Sequence, residues 1–311
     1  MTEQQEKKSG LNRLKWKKYA FCYGVMAIPL ISFAIFYVYI NASSFALAFQ
    51  SVNIRNEKTW VGLANFEEFF AGLKGDSRVW KSIGNSLKMW WINFAITMPL
   101  YLIFSYYIYK KFLLNNFYGY LMMIPSIVST FIYALVYKKF VEVGLKQIFI
   151  DSGMTEYPAI LTDLPYAFWN NIFFTCWISF GTSVTVYTNA MRAIDDEVLE
   201  SARLDGVNDR QEFFSIILPL IWPTISTFVV TGVAGMFTTS GSLLTFYMYD
   251  APEQIWGFGY YITRTIKTET NFVSYPMISA SGLVVTILIL PIVFATKALM
   301  NKLDKTEDSK Q

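Results

Sequence analysis

The stretch ESARLDGVNDRQEFFSIILP, Glu200 to Pro219, is a charged patch between two apolar runs. Asp195 and Asp196 ahead of it favour a helix start, where acidic side chains suit the helix dipole. Ile194, Val198 and Ala202 recur at the spacing of one helical face, and Glu200 and Arg203 stand three apart, close enough to pair. Gly206 supplies a left-handed turn that ends the helix. Asp209 and Glu212 form a capping-box-like pair opening a second helix, which runs through Ile216, Leu218 and Pro219 into the next apolar run. The segment reads as helix, glycine turn, helix. It offers an amphipathic surface and no evident chemistry, so it is either a docking element or a solvated connector.

The surrounding chain decides its setting. Of 311 residues, 54% are apolar and 16% charged, where a soluble domain carries about a quarter charged. The charges cluster near the ends and in short stretches, the distribution of a polytopic membrane protein. There is no histidine, which removes imidazole acid–base chemistry and imidazole metal sites. Cys22 and Cys176 fall in apolar spans and read as small hydrophobes. The net charge of +3 gives no argument for nucleic acid as a partner. The first apolar run lacks a convincing cleavage site and reads as a retained helix.

A helix crossing roughly 30 Å of hydrocarbon needs about 20 apolar residues. Six runs qualify, near 19–41, 87–109, 117–137, 166–188, 214–236 and 277–299, with membrane lipid as their solvent. Six spans put both termini on one side. Lys7, Lys8, Arg13, Lys15, Lys17 and Lys18 precede the first. Lys110 and Lys111, then Arg192, Arg203 and Arg210, lie in loops on the same side, with Lys297, Lys302, Lys305 and Lys310 at the end. These are more than half of the 26 Lys and Arg, so that side is expected to be cytoplasmic. The expected organisation is a basic cytoplasmic tail over 1–18, a six-helix domain over 19–303 with a cytoplasmic loop at about 190–213, and a cytoplasmic tail over 304–311. Trp60 to Phe70 has helical apolar spacing and is expected to lie along the membrane surface or cap the bundle.

Span interiors carry almost no charge, so no proton relay is visible. They do carry neutral hydrogen-bonding groups: Asn93 and Thr97 in the second, Asn171, Thr175 and Ser179 in the fourth, Thr227 in the fifth. Trp90, Trp91, Trp169 and Trp177 accompany them. Such groups suit an uncharged polyhydroxyl solute, and the same residue types also hold membrane helices together. The chain has no G-x-x-x-x-G-K-[S/T], hence no phosphate loop.

Glu200-Ser201-Ala202, three residues, Gly206, nine residues, then Ile216-x-Leu218-Pro219 resembles the EAA signature of ABC importer permeases. Ser201 stands where the family has alanine, and Leu204-Asp205-Gly206 matches its usual L-D-G. Further stretches resemble the family's sugar-permease branch: Trp60-Val61-Gly62-Leu63-Ala64-Asn65-Phe66, Ile83-Gly84-Asn85-Ser86-Leu87, and Ile124-Pro125-Ser126 opening the third span. Thr238-Thr239-Ser240-Gly241-Ser242 departs from that branch's T-x-G-G-P. The resemblance implies an all-α, six-helix permease fold of the ABC type I importer kind. It implies that the helix around Glu200, Ser201, Ala202, Leu204, Asp205 and Gly206 docks on a cytoplasmic ATPase dimer, with Ile216, Leu218 and Pro219 leading into the span. It implies a second homologous permease, a separate solute-binding protein, and a carbohydrate or oligosaccharide as cargo. No cofactor is expected in this chain, with ATP and magnesium held by the ATPase. A carrier driven by an ion gradient, or a scaffold binding a cytoplasmic partner through the same loop, are the competing readings.

Overall fold

The computed structural model describes residues 3–75, 77–153, 157–268 and 274–304. Two compact units make it up: Met1–Phe69 with Asn271–Leu283, and Phe70–Thr270 with Val284–Gln311.

The first unit opens with α1 (Glu3–Phe33), which continues through a π-helical stretch (Ala34–Tyr39) into α2 (Ile40–Ala48). The stretch expected as a tail over 1–18 is therefore helical from Glu3. Phe21, Ile28, Phe36 and Tyr39 along this run are all exposed, as in a helix apolar on every side that faces lipid. A short hairpin follows, β1 (Gln50–Val52) antiparallel to β2 (Lys58–Trp60), with Gln50 opposite Trp60. The Asn53 Oδ1 accepts from the N–H groups of Arg55 and Glu57 and closes its turn. Gly62 then takes a φ of +62°, open to glycine without strain. Asn65, buried, donates to the carbonyls of Ala48 and Gln50, each at 2.8 Å. Trp60 to Leu63 is thus a strand end and a joint, and the expected helix begins only with α3 (Ala64–Gly75).

In the second unit, α4 (Ser77–Tyr109) is followed by α5 (Asn115–Ile127), α6 (Thr130–Lys139), a π-helical stretch (Phe140–Leu145) and α7 (Lys146–Asp151). Next come α8 (Tyr166–Arg192), α9 (Asp196–Leu204) and α10 (Asp209–Gln211). A π-helical stretch (Glu212–Ile217) leads to α11 (Leu218–Leu220) and α12 (Trp222–Gly235). The last helices are α13 (Leu243–Tyr247), α14 (Phe258–Thr268) and α15 (Tyr275–Leu303), of which α15 starts within the first unit and belongs to the second from Val284 onward.

Four of the six expected spans, 19–41, 87–109, 166–188 and 277–299, fall wholly on helix, and two are broken. Lys18–Ala48, Arg78–Tyr109 and Tyr275–Leu303 are long and apolar enough to cross a membrane. Asp209–Leu220 and Trp222–Gly235 qualify only as a pair, bent by 64°, where Pro219 and Pro223 interrupt the hydrogen-bond ladder. The expected span 117–137 is broken, because Val128 is extended (ψ 143°) and Ser129 follows at ψ 129°. Ile124-Pro125-Ser126 accordingly sits at the end of α5 rather than opening a span. The fourth, α8, is continuous over 27 residues; four of its polar side chains, Asn170, Asn171, Ser183 and Thr188, are buried, while Thr182 and Asn189 are exposed. Lys305, Lys310 and the tail beyond Asp304 lie outside the described residues.

The main core joins α4, α8, α9, α12 and the end of α15 through Tyr101, Ile108, Tyr187, Met191, Leu199, Ile217, Ile225 and Met300. Small polar groups lock α4 to α8. The Ser105 hydroxyl, fully buried, donates to the Val184 carbonyl at 3.0 Å, and Tyr101 Oη lies 2.7 Å from Ser179 Oγ. A second core holds the segment before α14 through Leu243, Ile255, Trp256 and Tyr260. The Ile83–Leu87 stretch fastens that segment. Asn85 donates to the carbonyls of Gln254 and Trp256, and Ser86 Oγ accepts from the Phe258 N–H at 2.9 Å.

Candidate functional site

Two regions of the second unit carry the residues singled out in the sequence. The first is the Glu200–Pro219 segment. α9 ends in a Schellman arrangement: the Gly206 N–H donates to the Arg203 carbonyl, and the Val207 N–H to that of Ala202. Gly206 has φ +82°, the left-handed turn expected of it. Of α9 only Leu199 is buried. Val198 is 44% exposed, so the inward face is one residue away from the one the spacing suggests. Glu200, Ser201, Leu204 and Asp205 are exposed, and Ala202 is half-buried. Glu200 makes no ion pair among the described residues, because Arg203 reaches Glu212 instead (3.9 Å). Ile216 and Leu218 pack against the core, and half-buried Pro219 stands in the first turn of α11. The signature thus divides: its Glu200–Gly206 part is presented outward, and its Ile216–Pro219 part is anchored inward.

The cap of α10 lies one residue before the expected pair. Asn208 Oδ1 accepts from the Gln211 N–H, and the Gln211 side chain accepts from the Asn208 N–H. That frees Asp209 and Glu212 for another partner. Lys110, just beyond α4, donates to Asp209 Oδ1 and to Glu212 Oε2, each at 2.8 Å. The Lys110 side chain is 12% exposed and that of Glu212 3%. Burial draws the Lys110 ammonium down, but its hydrogen bonds to Asp209 and Glu212 outweigh that and hold it above the ordinary lysine range. The Tyr106 hydroxyl donates to the Asp209 carbonyl at 3.0 Å, and its ring packs 4.9 Å from that of Phe213. Nothing in the local sequence points to Lys110 as the hub, since its partners lie about a hundred positions away.

The second region is a track along α4. A cavity of about 170 Å³ is lined by Ser86, Met89, Trp90, Asn93, Asn171, Thr175, Thr239, Ser240 and Gly241 among others. A second, of about 160 Å³, is lined by Trp90, Asn93, Thr97, Tyr101, Tyr187 and Gly232 with apolar neighbours. Trp90 and Asn93 wall both. Ser86, Trp90, Asn93, Thr97 and Tyr101 follow one another at helical spacing, so the track is one face of α4. Among the described residues, no carboxylate or cation lines either cavity.

Of the pathway residues expected from the sequence, Asn93, Thr97, Asn171 and Thr175 line this track. Asn171 and Thr175 are partly committed to structure: Ser242 Oγ donates to Asn171 Oδ1 at 2.6 Å and lies 2.9 Å from Thr175 Oγ1. Asn93 donates only weakly, to Cys176 Sγ at 3.5 Å, and it lines both cavities. Ser179 and Thr227 lie outside both linings. Ser179 bridges to Tyr101 between helices, and Thr227, exposed, donates back to the Pro223 carbonyl. Thr239, Ser240 and Gly241 belong to the lining although they lie in a turn where periodicity gives no signal. They occupy the stretch that departs from T-x-G-G-P.

Residues 69–307 match the family described as binding-protein-dependent transport system inner membrane component. The chain is 28% identical over 233 residues to the probable ABC transporter permease protein YesP of Bacillus subtilis, covering 70% of each. It is 22% identical over 261 residues to the arabinooligosaccharides transport system permease protein AraP of the same organism, covering 80% of this chain and 79% of AraP. Among solved structures, a chain of a bacterial ABC transporter involved in the import of the acidic polysaccharide alginate superposes with a TM-score of 0.75 at 20% identity, over 93% of this chain and 98% of that one. That likeness is one of fold.

Proposed function

The chain belongs to the binding-protein-dependent transport system inner membrane component family, and from that premise we propose that it is the membrane-embedded permease of an ATP-driven ABC importer for a carbohydrate or oligosaccharide. The observation that carries this reading is the division of the Glu200–Pro219 segment. A largely exposed helix end, Glu200 to Gly206, leads along the chain to an anchor packed on the core, Ile216 to Leu218, with Ile217 fully buried. An ATPase subunit seated on the exposed part moves the anchored part as a rigid body. Glu200, exposed and without an ion pair among the described residues, is left for a basic residue of that subunit.

The engine is a separate cytoplasmic ATPase dimer that holds ATP and magnesium. Two ATPase grooves against one such helix per chain call for a second, homologous permease. A solute-binding protein delivers the cargo to the opposite face. Both termini and the α9 segment lie on the cytoplasmic side. The uncharged track of Ser86, Asn93 and Thr97 beside Trp90 suits neutral hydroxyl-rich rings, through hydrogen bonds and an apolar ring face. A carrier driven by an ion gradient would want a carboxylate in that track. The test is purification in mild detergent from the native membrane, with partners identified by mass spectrometry. An ATPase and a second permease are expected. Recovery of this chain alone, folded and monodisperse, would contradict the reading.

A further inference from the structure

We infer that Lys110 is a positioning residue for energy coupling: by clasping Asp209 and Glu212 it ties the Glu200–Gly206 helix to α4, and through α4 to the wall of the uncharged track. The inference rests on the proposed seating of that helix on an ATPase.

α9 by itself is a poor lever. It has nine residues, buries one side chain, and ends on a glycine with φ +82°. A push on such a helix bends the glycine hinge unless the chain beyond it is held. Arg203 reaches back to Glu212 (3.9 Å), which starts the next stretch. Glu212 is nearly inaccessible, and its Oε1 has no partner among the described residues. Its compensation comes from the Lys110 ammonium on Oε2 at 2.8 Å. The second arm of Lys110 holds Asp209, also at 2.8 Å, and Tyr106 one turn earlier in α4 holds the Asp209 carbonyl. The end of α4 therefore grips the start of α10 at three points.

A buried ion pair adds little net stability over a well-packed apolar pair, because desolvation offsets its attraction. What it fixes is geometry: Lys110 satisfies two carboxylates only with α4 and α10 in one register. Lys110 directly follows α4, a single helix over Ser77–Tyr109 with Pro99 inside it, which carries Thr97, Asn93 and Trp90. Thirteen residues at ~1.5 Å rise place Thr97 roughly 20 Å from the clasp. A continuous path of stiff parts thus joins the exposed helix to both cavities.

The test uses the intact purified transporter with Cys22 and Cys176 replaced by alanine and a single cysteine at Asn93. The probe is a cationic methanethiosulfonate reagent, and its reaction rate is read without nucleotide and after trapping with ATP and vanadate. With Lys110 present the two rates are expected to differ by at least about fivefold, the low end of ordinary allosteric coupling. In Lys110→Met the difference is expected to vanish while the assembled complex still hydrolyses ATP. An assembled Lys110→Met complex with the full nucleotide response would overturn the clasp alone. A parent complex without an ATPase, or without any response, would overturn the reading beneath it and the clasp with it. Should Lys110→Met not assemble, Lys110→Arg is expected to keep the response and Asp209→Asn, at a 64% exposed side chain, to at least halve it. An unaltered response in Asp209→Asn then overturns the clasp.

Discussion

The indole of Trp90 rests against the backbone of Gly232: a Cβ built on Gly232 would lie 3.0 Å from Trp90 Nε1. The two residues bring α4 and α12 into close approach at Trp90, which walls both cavities, with Gly232 lining the second. A side chain at 232 has to displace the indole, which is also stacked on Phe94 at 5.2 Å. Gly232→Ala is expected to be tolerated with a small shift, since the obstacle is a side chain. Gly232→Leu is expected to drive the indole into the track and to slow thiol labelling of a cysteine at Asn93 by about tenfold, at normal assembly. Equal labelling in both variants would contradict this placement of Trp90.

Gly259 sits where no side chain fits. Its Cβ would lie 2.6 Å from the Thr238 carbonyl oxygen and 2.7 Å from that of Thr239, and backbone cannot swing aside as a side chain does. Gly259→Ala is expected to destabilise the protein by about 1–3 kcal/mol and to disturb the Thr239–Gly241 lining. Gly84→Ala, in α4 with nothing within 4 Å, is expected to be neutral or slightly stabilising. Thermal unfolding of the two variants in the same detergent gives the comparison.

Gly206 has open space around it and a φ of +82°, so substitution acts through conformation alone. The expected order of coupled ATP hydrolysis is Gly, then Asn, then Ala, then Pro. Asparagine visits the left-handed region readily, alanine loses about 1–2 kcal/mol there, and proline cannot reach it. Stimulation of ATP hydrolysis by the loaded binding protein ranks the four. An alanine variant above asparagine would contradict the turn.

The Lys110 ammonium is held above the ordinary lysine value of 10.5. A cation whose pKa is raised by folding contributes stability fully below its unfolded pKa and loses it as pH rises through the folded one. The difference in thermal stability between the natural protein and Lys110→Met is therefore expected to stay constant from about pH 7 to 9. It should shrink only above pH 10.5. A difference that disappears between pH 7 and 9 would show that Lys110 is not held by its carboxylates.

The Glu200–Pro219 segment was legible because its signals are local. Gly206 forms its turn, Ile216 and Leu218 pack inward, and helices flank the glycine as the spacing indicates. The errors there are single-residue ones with tertiary causes. Asn208 caps because Asp209 and Glu212 are drawn to Lys110, and Leu199 turns inward in place of Val198 because the α4–α8 core lies on that side. The sequence also held Asn65, Asn85 and Ser86 as parts of resembling stretches. Their work, pinning Ala48 and Gln50, then Gln254, Trp256 and Phe258, needs partners up to 172 positions away. The break at Val128 and Ser129 was hidden because both halves are apolar. Neutral polar residues flagged the track on α4 and α8, but composition cannot separate Asn93, which faces the cavity, from Ser179, which bridges two helices.

In the proposed function, the helix ending at Gly206 seats on an ATPase. Leu204, 89% exposed, is the place to ask. A photo-crosslinking amino acid at position 204, activated in native membranes, is expected to capture one cytoplasmic ATPase subunit, with its yield changed by ATP. Crosslinks to lipid or water alone, in cells where the variant still assembles, would contradict the account.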